Sequence, residues 1–90
     1  YVASKAGIEA FSRTFARETS GFNVRVNCIS PGPINTDLLK GVTSKQIDCM
    51  VAQQIISKQF VPSDVCDLVE MLLDEKSSSL SGQVLNVGGV

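Results

Sequence analysis

The 90-residue chain contains no histidine and no tryptophan. Without histidine it cannot form a Ser-His-Asp or Cys-His catalytic arrangement by itself. Its three cysteines, Cys28, Cys49 and Cys66, are widely spaced and form no Cys-x-x-Cys pair. We therefore expect no disulfide framework and no metal site. This use of cysteine fits a reducing compartment, so we expect a cytoplasmic protein.

Concentrated positive charge and long hydrophobic runs are also missing. The formal net charge is −1, and lysine and arginine form no run, so we expect no nucleic-acid partner. No apolar stretch approaches the roughly 18 residues that a membrane span needs, so we expect no membrane partner. With 43% hydrophobic and 19% charged residues, the chain has the composition of one globular domain.

The first segment, residues 1 to about 19, has the apolar spacing of an amphipathic helix. Ile8, Phe11 and Phe15 recur at intervals of three and four residues, which places them on one helix face. Gly21 follows where a helix often ends in a residue with positive φ. The pattern predicts a helix that ends at this glycine.

Two further helices are predicted by their start signals and apolar periodicity. Thr43 and Gln46 have the spacing of a capping box, and Pro62 suits the first turn of a third helix, with Asp64 near its positive end. The second helix has an apolar face of Ile47, Met50, Val51 and Ile55. The third has one of Val65, Leu68, Val69, Leu72 and Leu73.

Two short β-rich segments complete the pattern. Residues 23–30 form the first predicted strand, which ends at a Pro-Gly-Pro turn, and residues 83–87 form the second. We expect Arg25, within the first strand, to pair with an acidic neighbour that the sequence does not identify. The order helix, strand, helix, helix, strand predicts an α/β fold with parallel pairing across a helical crossover.

Tyr1 and Lys5 are the first candidate catalytic pair. They are four residues apart on the first helix, hence on one face about one turn from each other. The pKa of a phenol in water is about 10, and a nearby ammonium lowers it by roughly 1–3 units. Tyr1 would then serve as a general acid or base near neutral pH. The same spacing also describes two ordinary surface neighbours.

The second candidate site is the segment Pro31-Gly32-Pro33-Ile34-Asn35-Thr36, directly after the first strand. Ligands of open α/β sheets bind beyond the carboxyl ends of the strands. Pro31 and Gly32 would bring backbone close to a flat ring. Ile34 could offer main-chain groups to a carboxamide, and Thr36 a hydroxyl. A turn that only leads the chain out of the strand is the alternative.

Taken together and in order, four blocks resemble the C-terminal part of the short-chain dehydrogenase/reductase family. Within that family, the chain is most similar to the 3-oxoacyl-acyl-carrier-protein reductase type. The blocks are Tyr1-Val2-Ala3-Ser4-Lys5-Ala6-Gly7, Val24-Arg25-Val26-Asn27, Pro31-Gly32-Pro33-Ile34-Asn35-Thr36-Asp37 and Ser81-Gly82-Gln83-Val84-Leu85-Asn86-Val87. The resemblance implies the C-terminal part of a doubly wound, Rossmann-like parallel sheet, with two parallel strands and about three helices present.

The resemblance also implies a reaction and its catalytic residues. The protein would be an NAD(P)-dependent oxidoreductase that transfers hydride between nicotinamide and a small-molecule carbonyl or hydroxyl substrate. Tyr1 would donate the proton to the carbonyl. Lys5 would hold the nicotinamide ribose hydroxyls and lower the pKa of Tyr1.

The cofactor, NADP or NAD, would be bound partly by the turn after the first strand. The resemblance places Pro31 and Gly32 beside the nicotinamide, and Ile34 and Thr36 at its carboxamide. The stretch from residue 37 to about 60 would be a mobile lid over the substrate. Residues that select NAD or NADP lie upstream of Tyr1 in the family.

The family further implies a homodimer or homotetramer, with the helix of Tyr1 and Lys5 in one interface. Residues 1–90 would be the C-terminal portion of a single domain whose N-terminal dinucleotide-binding half is absent. The chain departs from the family at Val87-Gly88-Gly89, where an Asp commonly precedes the paired glycines. Either Gly88 replaces that Asp or one residue is missing.

The alternative function belongs to another class. The 90-residue chain could exist as such and be a non-catalytic interaction fragment that associates with full-length homologues. Two strands cannot form a doubly wound sheet, and the hydrophobic core of so short a chain is small. We expect the isolated chain to be inactive.

Overall fold

A computed structural model of the chain describes residues 2–32, 34 and 40–89. Its regular elements are α1 (Val2–Thr19), β1 (Cys28–Ser30), α2 (Ser44–Ala52), α3 (Pro62–Leu73) and β2 (Val84–Asn86). β1 and β2 pair as a two-stranded parallel sheet. The α/β prediction of three helices and two parallel strands is therefore confirmed.

The chain divides into two compact units. The first contains Tyr1–Cys28 and Met71–Leu85, and the second contains Ile29–Glu70 and Asn86–Val90. Each unit is built from two segments that are far apart in sequence.

The end of α1 differs from the prediction at Gly21. Gly21 lies within a short 3-10 turn, Ser20–Phe22, and it is Asn23 that has a positive φ, 59°. Because this extra turn continues the helix past Gly21, the residue with positive φ that ends it comes two positions later. Asparagine tolerates this left-handed conformation better than other non-glycine residues.

Both strands are shorter than predicted, because side chains replace part of the strand pairing in the first unit. Asn27 donates from Nδ2 to the Leu80 carbonyl at 3.0 Å and accepts from the Gln83 amide at 3.1 Å. The Val26 amide donates to the Ser81 hydroxyl at 3.1 Å. Val26 and Asn27 are thus tied to residues 80–83 without belonging to a regular strand.

Arg25 pairs with no acidic residue among those that the structure describes, which differs from the expectation. Its guanidinium donates instead to three main-chain carbonyls: Leu72 at 2.7 Å, Ser77 at 2.9 Å and Leu80 at 3.3 Å. These carbonyls accept the hydrogen bonds because the chain at and beyond the end of α3 surrounds the half-buried Arg25 side chain. Arg25 thereby fixes the segment that leads from α3 to β2.

The second unit contains α2, whose predicted capping box is confirmed. The Gln46 amide donates to the Thr43 hydroxyl at 3.2 Å, and the Thr43 amide donates to the Gln46 side-chain oxygen at 3.0 Å. Ile55 does not join the apolar face of the helix, contrary to the prediction. It follows the end of α2 at Ala52 and is 77% exposed.

The start of α3 is as predicted, with Pro62 as its first residue. The Asp64 carboxylate accepts a hydrogen bond from the Val61 amide at 2.8 Å. This bond satisfies one of the donors that a helix N-terminus leaves unpaired. A carboxylate at this end also interacts favourably with the helix dipole.

The core of the described residues is small. Ala16 and Phe60 are its buried hydrophobic residues. The apolar stripe of α1 is exposed: Ile8 by 51%, Phe11 by 67% and Phe15 by 40%. α1 has the predicted periodicity, but no described residue buries this stripe. In the part of the chain that the structure describes, no helix has the length and hydropathy needed to cross a membrane.

Candidate functional site

The predicted catalytic pair is only partly described. Lys5 lies on the exposed surface of α1, within the first unit. Tyr1 lies outside the described residues, so the predicted proximity of Tyr1 and Lys5 stays a prediction.

The predicted nicotinamide segment follows directly from β1. Pro31 is exposed, whereas Gly32 and Ile34 are half-buried. Ile34 forms an isolated parallel bridge with Phe60, which is buried. Thr36 lies outside the described residues. The structure thus holds Ile34 against the segment that precedes α3.

A cavity of about 460 Å³ adjoins this turn within the second unit. It lies next to the carboxyl ends of β1 and β2, where open α/β sheets bind ligands. Its lining comprises Ser30, Pro31, Gly32, Met50, Gln53, Gln54, Asn86, Val87 and Gly89. Two predicted cofactor residues, Pro31 and Gly32, therefore share one cavity with residues after α2 and after β2.

The side chain of Gln54 is the most unusual feature of this cavity. Its Nε2 and Oε1 atoms are both buried, and neither has a hydrogen-bond partner among the described residues. An amide left without partners in this way destabilises a folded protein by about 1–3 kcal/mol. A buried group of this kind in a ligand cavity is therefore a candidate for binding.

Two glycines make room for this amide. A Cβ atom on Gly32 would collide with Gln54 Nε2, and a Cβ on Gly88 would lie 2.7 Å from Gln54 Oε1. Any other residue at either position would displace the Gln54 side chain. The glycines thus form a narrow slot for the amide.

Gly88 and Gly89 lie where the chain departs from the family pattern. Both have positive φ, 84° and 80°. A Cβ on Gly88 would lie 2.6 Å from the Phe60 ring, and one on Gly89 would lie 2.9 Å from the Ile55 side chain. Neither position accommodates an Asp side chain.

The donor set of this cavity fits an amide-bearing planar ring. Gln54 offers a donor and an acceptor side by side, which is what a carboxamide requires as its complement. Among the described residues, no group of three or more Cys, Asp or Glu side chains could hold a metal ion.

Sequence reasoning missed Gln54. Gln53 and Gln54 look alike in the sequence, and nothing local separates the buried one from its exposed neighbour. The signal lay in Gly32 and Gly88, whose missing side chains create the space for the amide. That relationship joins distant segments and becomes visible only once they are packed together.

Comparison with known proteins shows the family of the chain. A family model described as enoyl-(acyl carrier protein) reductase matches residues 1–89. The 3-oxoacyl-acyl-carrier-protein reductase FabG of Chlamydia muridarum is 36% identical over 89 residues, which cover 99% of this chain and 36% of that protein.

Two solved structures extend the comparison. The 3-oxoacyl-acyl-carrier-protein reductase from Brucella melitensis superposes with a TM-score of 0.87 at 30% identity, over all of this chain and 34% of that one. A 4-hydroxyisoleucine dehydrogenase complexed with NADH superposes with a TM-score of 0.86 at 30% identity, over 99% of this chain and 38% of that one.

The family model covers nearly the whole chain, so the chain belongs to this family of short-chain dehydrogenases/reductases. Within it, the chain resembles the 3-oxoacyl-acyl-carrier-protein reductases. The expected fold, part of a Rossmann-like parallel sheet, is confirmed. The chain spans about a third of the length of these relatives, with 36% and 34% of their residues covered.

Proposed function

We propose that the natural polypeptide containing these residues is an NAD(P)-dependent oxidoreductase that reduces a carbonyl compound or oxidises the corresponding alcohol. One observation carries this proposal: β1 runs into the Pro31-Gly32 turn beside a cavity that holds the unpartnered amide of Gln54. The relatives support it, since two are 3-oxoacyl-acyl-carrier-protein reductases and one is a dehydrogenase complexed with NADH.

The cofactor, when bound, supplies or accepts the hydride. In the reductive direction, the carbonyl oxygen gains negative charge as the carbon is reduced, and it needs a proton. Tyr1 donates that proton from its hydroxyl. Lys5 favours the phenolate that Tyr1 becomes, because an ammonium close to a phenol lowers the phenol pKa.

Gln54 completes the nicotinamide site in this proposal. Its amide would turn from its place beside Gly32 and Gly88 towards the cavity, where it would form hydrogen bonds with a nicotinamide carboxamide. Two buried polar atoms that lack partners would gain them in one step, which favours the bound state. Ile34 and Thr36 would contribute further hydrogen bonds at the same carboxamide.

An equilibrium titration of the natural polypeptide with NADH and, separately, NADPH tests this account. We expect saturable binding of at least one of the two. Gln54→Met keeps the size of the side chain and removes both polar atoms, so it should weaken cofactor binding about tenfold, which corresponds to about 1.4 kcal/mol.

The same substitution should not lower the free energy of unfolding without cofactor, because it removes a buried group that has no partner. Gln53→Met is the matched control, since Gln53 lines the same cavity but is exposed. Equal cofactor affinity in Gln54→Met and the unchanged protein would contradict the role of Gln54. No binding of either cofactor would contradict the function and favour the non-catalytic alternative.

We also propose that α1 forms an interface with a second copy of the protein. Phe11 and Phe15 stack with ring centroids 5.6 Å apart, and both are exposed together with Ile8. An exposed apolar patch on a helix is typical of an interaction surface. Phe11→Glu should lower the mass of the natural polypeptide in sedimentation equilibrium. An unchanged mass would contradict this interface.

A further inference from the structure

All three arginines of the chain line a single cavity in the first unit. Arg13 and Arg17 come from α1, and Arg25 comes from the segment before β1. The cavity has a volume of about 560 Å³, and no Asp or Glu side chain lines it. A chain with a net charge of −1 thus gathers three positive charges around one concave surface.

Arg25 also lines this cavity, and its guanidinium is held in a fixed position. Its guanidinium is half-buried and held by carbonyl oxygens of Leu72, Ser77 and Leu80. Carbonyl groups carry only partial charges, so they orient the guanidinium without neutralising it. No described carboxylate forms an ion pair with Arg25.

Arg13 and Arg17 provide two exposed side chains at the same cavity. They are four residues apart on α1 and are therefore neighbours on one face, where like charges repel each other. Both are exposed, and within the described ranges neither side chain has a hydrogen bond or ion pair. An anion between them would replace this repulsion with attraction on both sides.

The remaining lining supplies neutral hydrogen-bonding groups. Ser20, Asn23, Ser81 and Gln83 line the cavity. The Ser20 hydroxyl donates to the Arg17 carbonyl and Gln83 Nε2 donates to the Ser81 carbonyl. Ser81 accepts a hydrogen bond from the Val26 amide, so its hydroxyl proton is still able to donate. Gly82 has a φ of 70° and brings the backbone close to α1, where a Cβ atom would lie 3.6 Å from Ala16 Cβ.

We propose that this cavity binds the phosphate group of a small phosphate monoester. Arg13 and Arg17 present planar, forked donors that match phosphate oxygens two at a time. Arg25 adds a charge that does not move. Three guanidinium groups without a carboxylate suit a dianion, and the volume leaves room for a small organic group beyond the phosphate. None of these residues belongs to the catalytic or nicotinamide residues assigned above.

Calorimetric titration of the natural polypeptide tests this site. Inorganic phosphate, glycerol 3-phosphate and sodium sulfate would each be added at constant ionic strength, without nicotinamide cofactor. We expect saturable binding of both phosphates with a stoichiometry of one per chain. Glycerol 3-phosphate should bind more tightly than inorganic phosphate, because its organic part also contacts the cavity.

Variants identify the residues responsible. Arg13→Gln and Arg17→Gln, alone, should each weaken phosphate binding about tenfold, since each removes a charge-assisted bidentate contact. Arg17→Lys keeps the charge but loses the planar guanidinium. Its phosphate affinity should therefore lie between those of Arg17→Gln and the unchanged protein. Both side chains are exposed, so these substitutions should not unfold the protein. Lys45→Gln, on α2, is the matched control for loss of one positive charge.

Three results would overturn the proposal. The first is no saturable binding of either phosphate. The second is an equal loss of affinity in Lys45→Gln and Arg17→Gln, which would mean a general charge effect. The third is tighter binding of inorganic phosphate than of glycerol 3-phosphate, which would show a site for the free ion. Retention of phosphate binding in Gln54→Met is expected, because Gln54 belongs to the second unit.

Discussion

Arg25 Nη2 donates a hydrogen bond of 2.7 Å to the main-chain carbonyl of Leu72, a residue 47 positions later in the chain. Through this bond and those to Ser77 and Leu80, one side chain joins the end of α3 to two points of the connection that leads to β2. The first unit consequently depends on a polar contact where its apolar core is small. Its stability should therefore be sensitive to this residue.

Arg25→Lys should destabilise the natural polypeptide by about 2–3 kcal/mol. A lysine ammonium cannot reach the three carbonyls as a planar guanidinium does, and buried acceptors that lose their donors are unfavourable. Urea denaturation in phosphate-free buffer measures the effect. Arg17→Lys, at an exposed position on α1, should change stability by no more than about 0.5 kcal/mol. Equal effects of the two substitutions would show that the Arg25 bonds contribute little.

The capping box of α2 gives a local prediction. Thr43→Ala removes the oxygen that accepts from the Gln46 amide and should destabilise α2 by about 1 kcal/mol. Hydrogen exchange of the amides in α2 should become faster, while that of α3 stays unchanged. Thr43→Ser keeps the accepting oxygen and should retain slow exchange. Ser44→Ala controls for loss of a hydroxyl next to the cap. Unchanged exchange in Thr43→Ala would contradict this account of the helix start.

Gly88 should not tolerate a side chain. Gly88→Ala would place a Cβ 2.6 Å from the Phe60 ring in a backbone with a φ of 84°. Overpacking together with backbone strain should destabilise the protein by about 2 kcal/mol or more. Gly41→Ala is the matched control, because no heavy atom of the described residues beyond its chain neighbours lies within 4 Å of its Cβ position. Thermal unfolding distinguishes the two, and similar midpoints would contradict the packing around Gly88.

Much of the fold was predictable because its signals are local. The capping box at Thr43 and Gln46, the start of α3 at Pro62, and the helical periodicity of α1 each depend on a few neighbouring residues. The exposure of Phe11 was not predictable, because periodicity identifies an apolar face but not what covers it. Arg25 was assigned the wrong partner for a similar reason: its carbonyl acceptors are 47 to 55 residues away.

The candidate site also has one part that was predictable from the sequence and one part that was not. The Pro31-Gly32 turn was recognisable from its residues and its position after a strand. Gln54 was not, since its burial depends on two glycines in other segments. The arginine cavity was also missed, because Arg25 stood in a predicted strand and its approach to α1 depends on the packing of the first unit.

Proton transfer by Tyr1 is the central claim, and turnover of Tyr1→Phe in the natural polypeptide tests it most directly. Reduction of a 3-oxoacyl thioester would be followed by the nicotinamide absorbance, with cofactor affinity measured in parallel. The substitution removes only the hydroxyl that donates the proton, so we expect turnover to fall by about 100-fold or more and cofactor binding to change little. Unchanged turnover in Tyr1→Phe would contradict the account, because the proton would then come from another group.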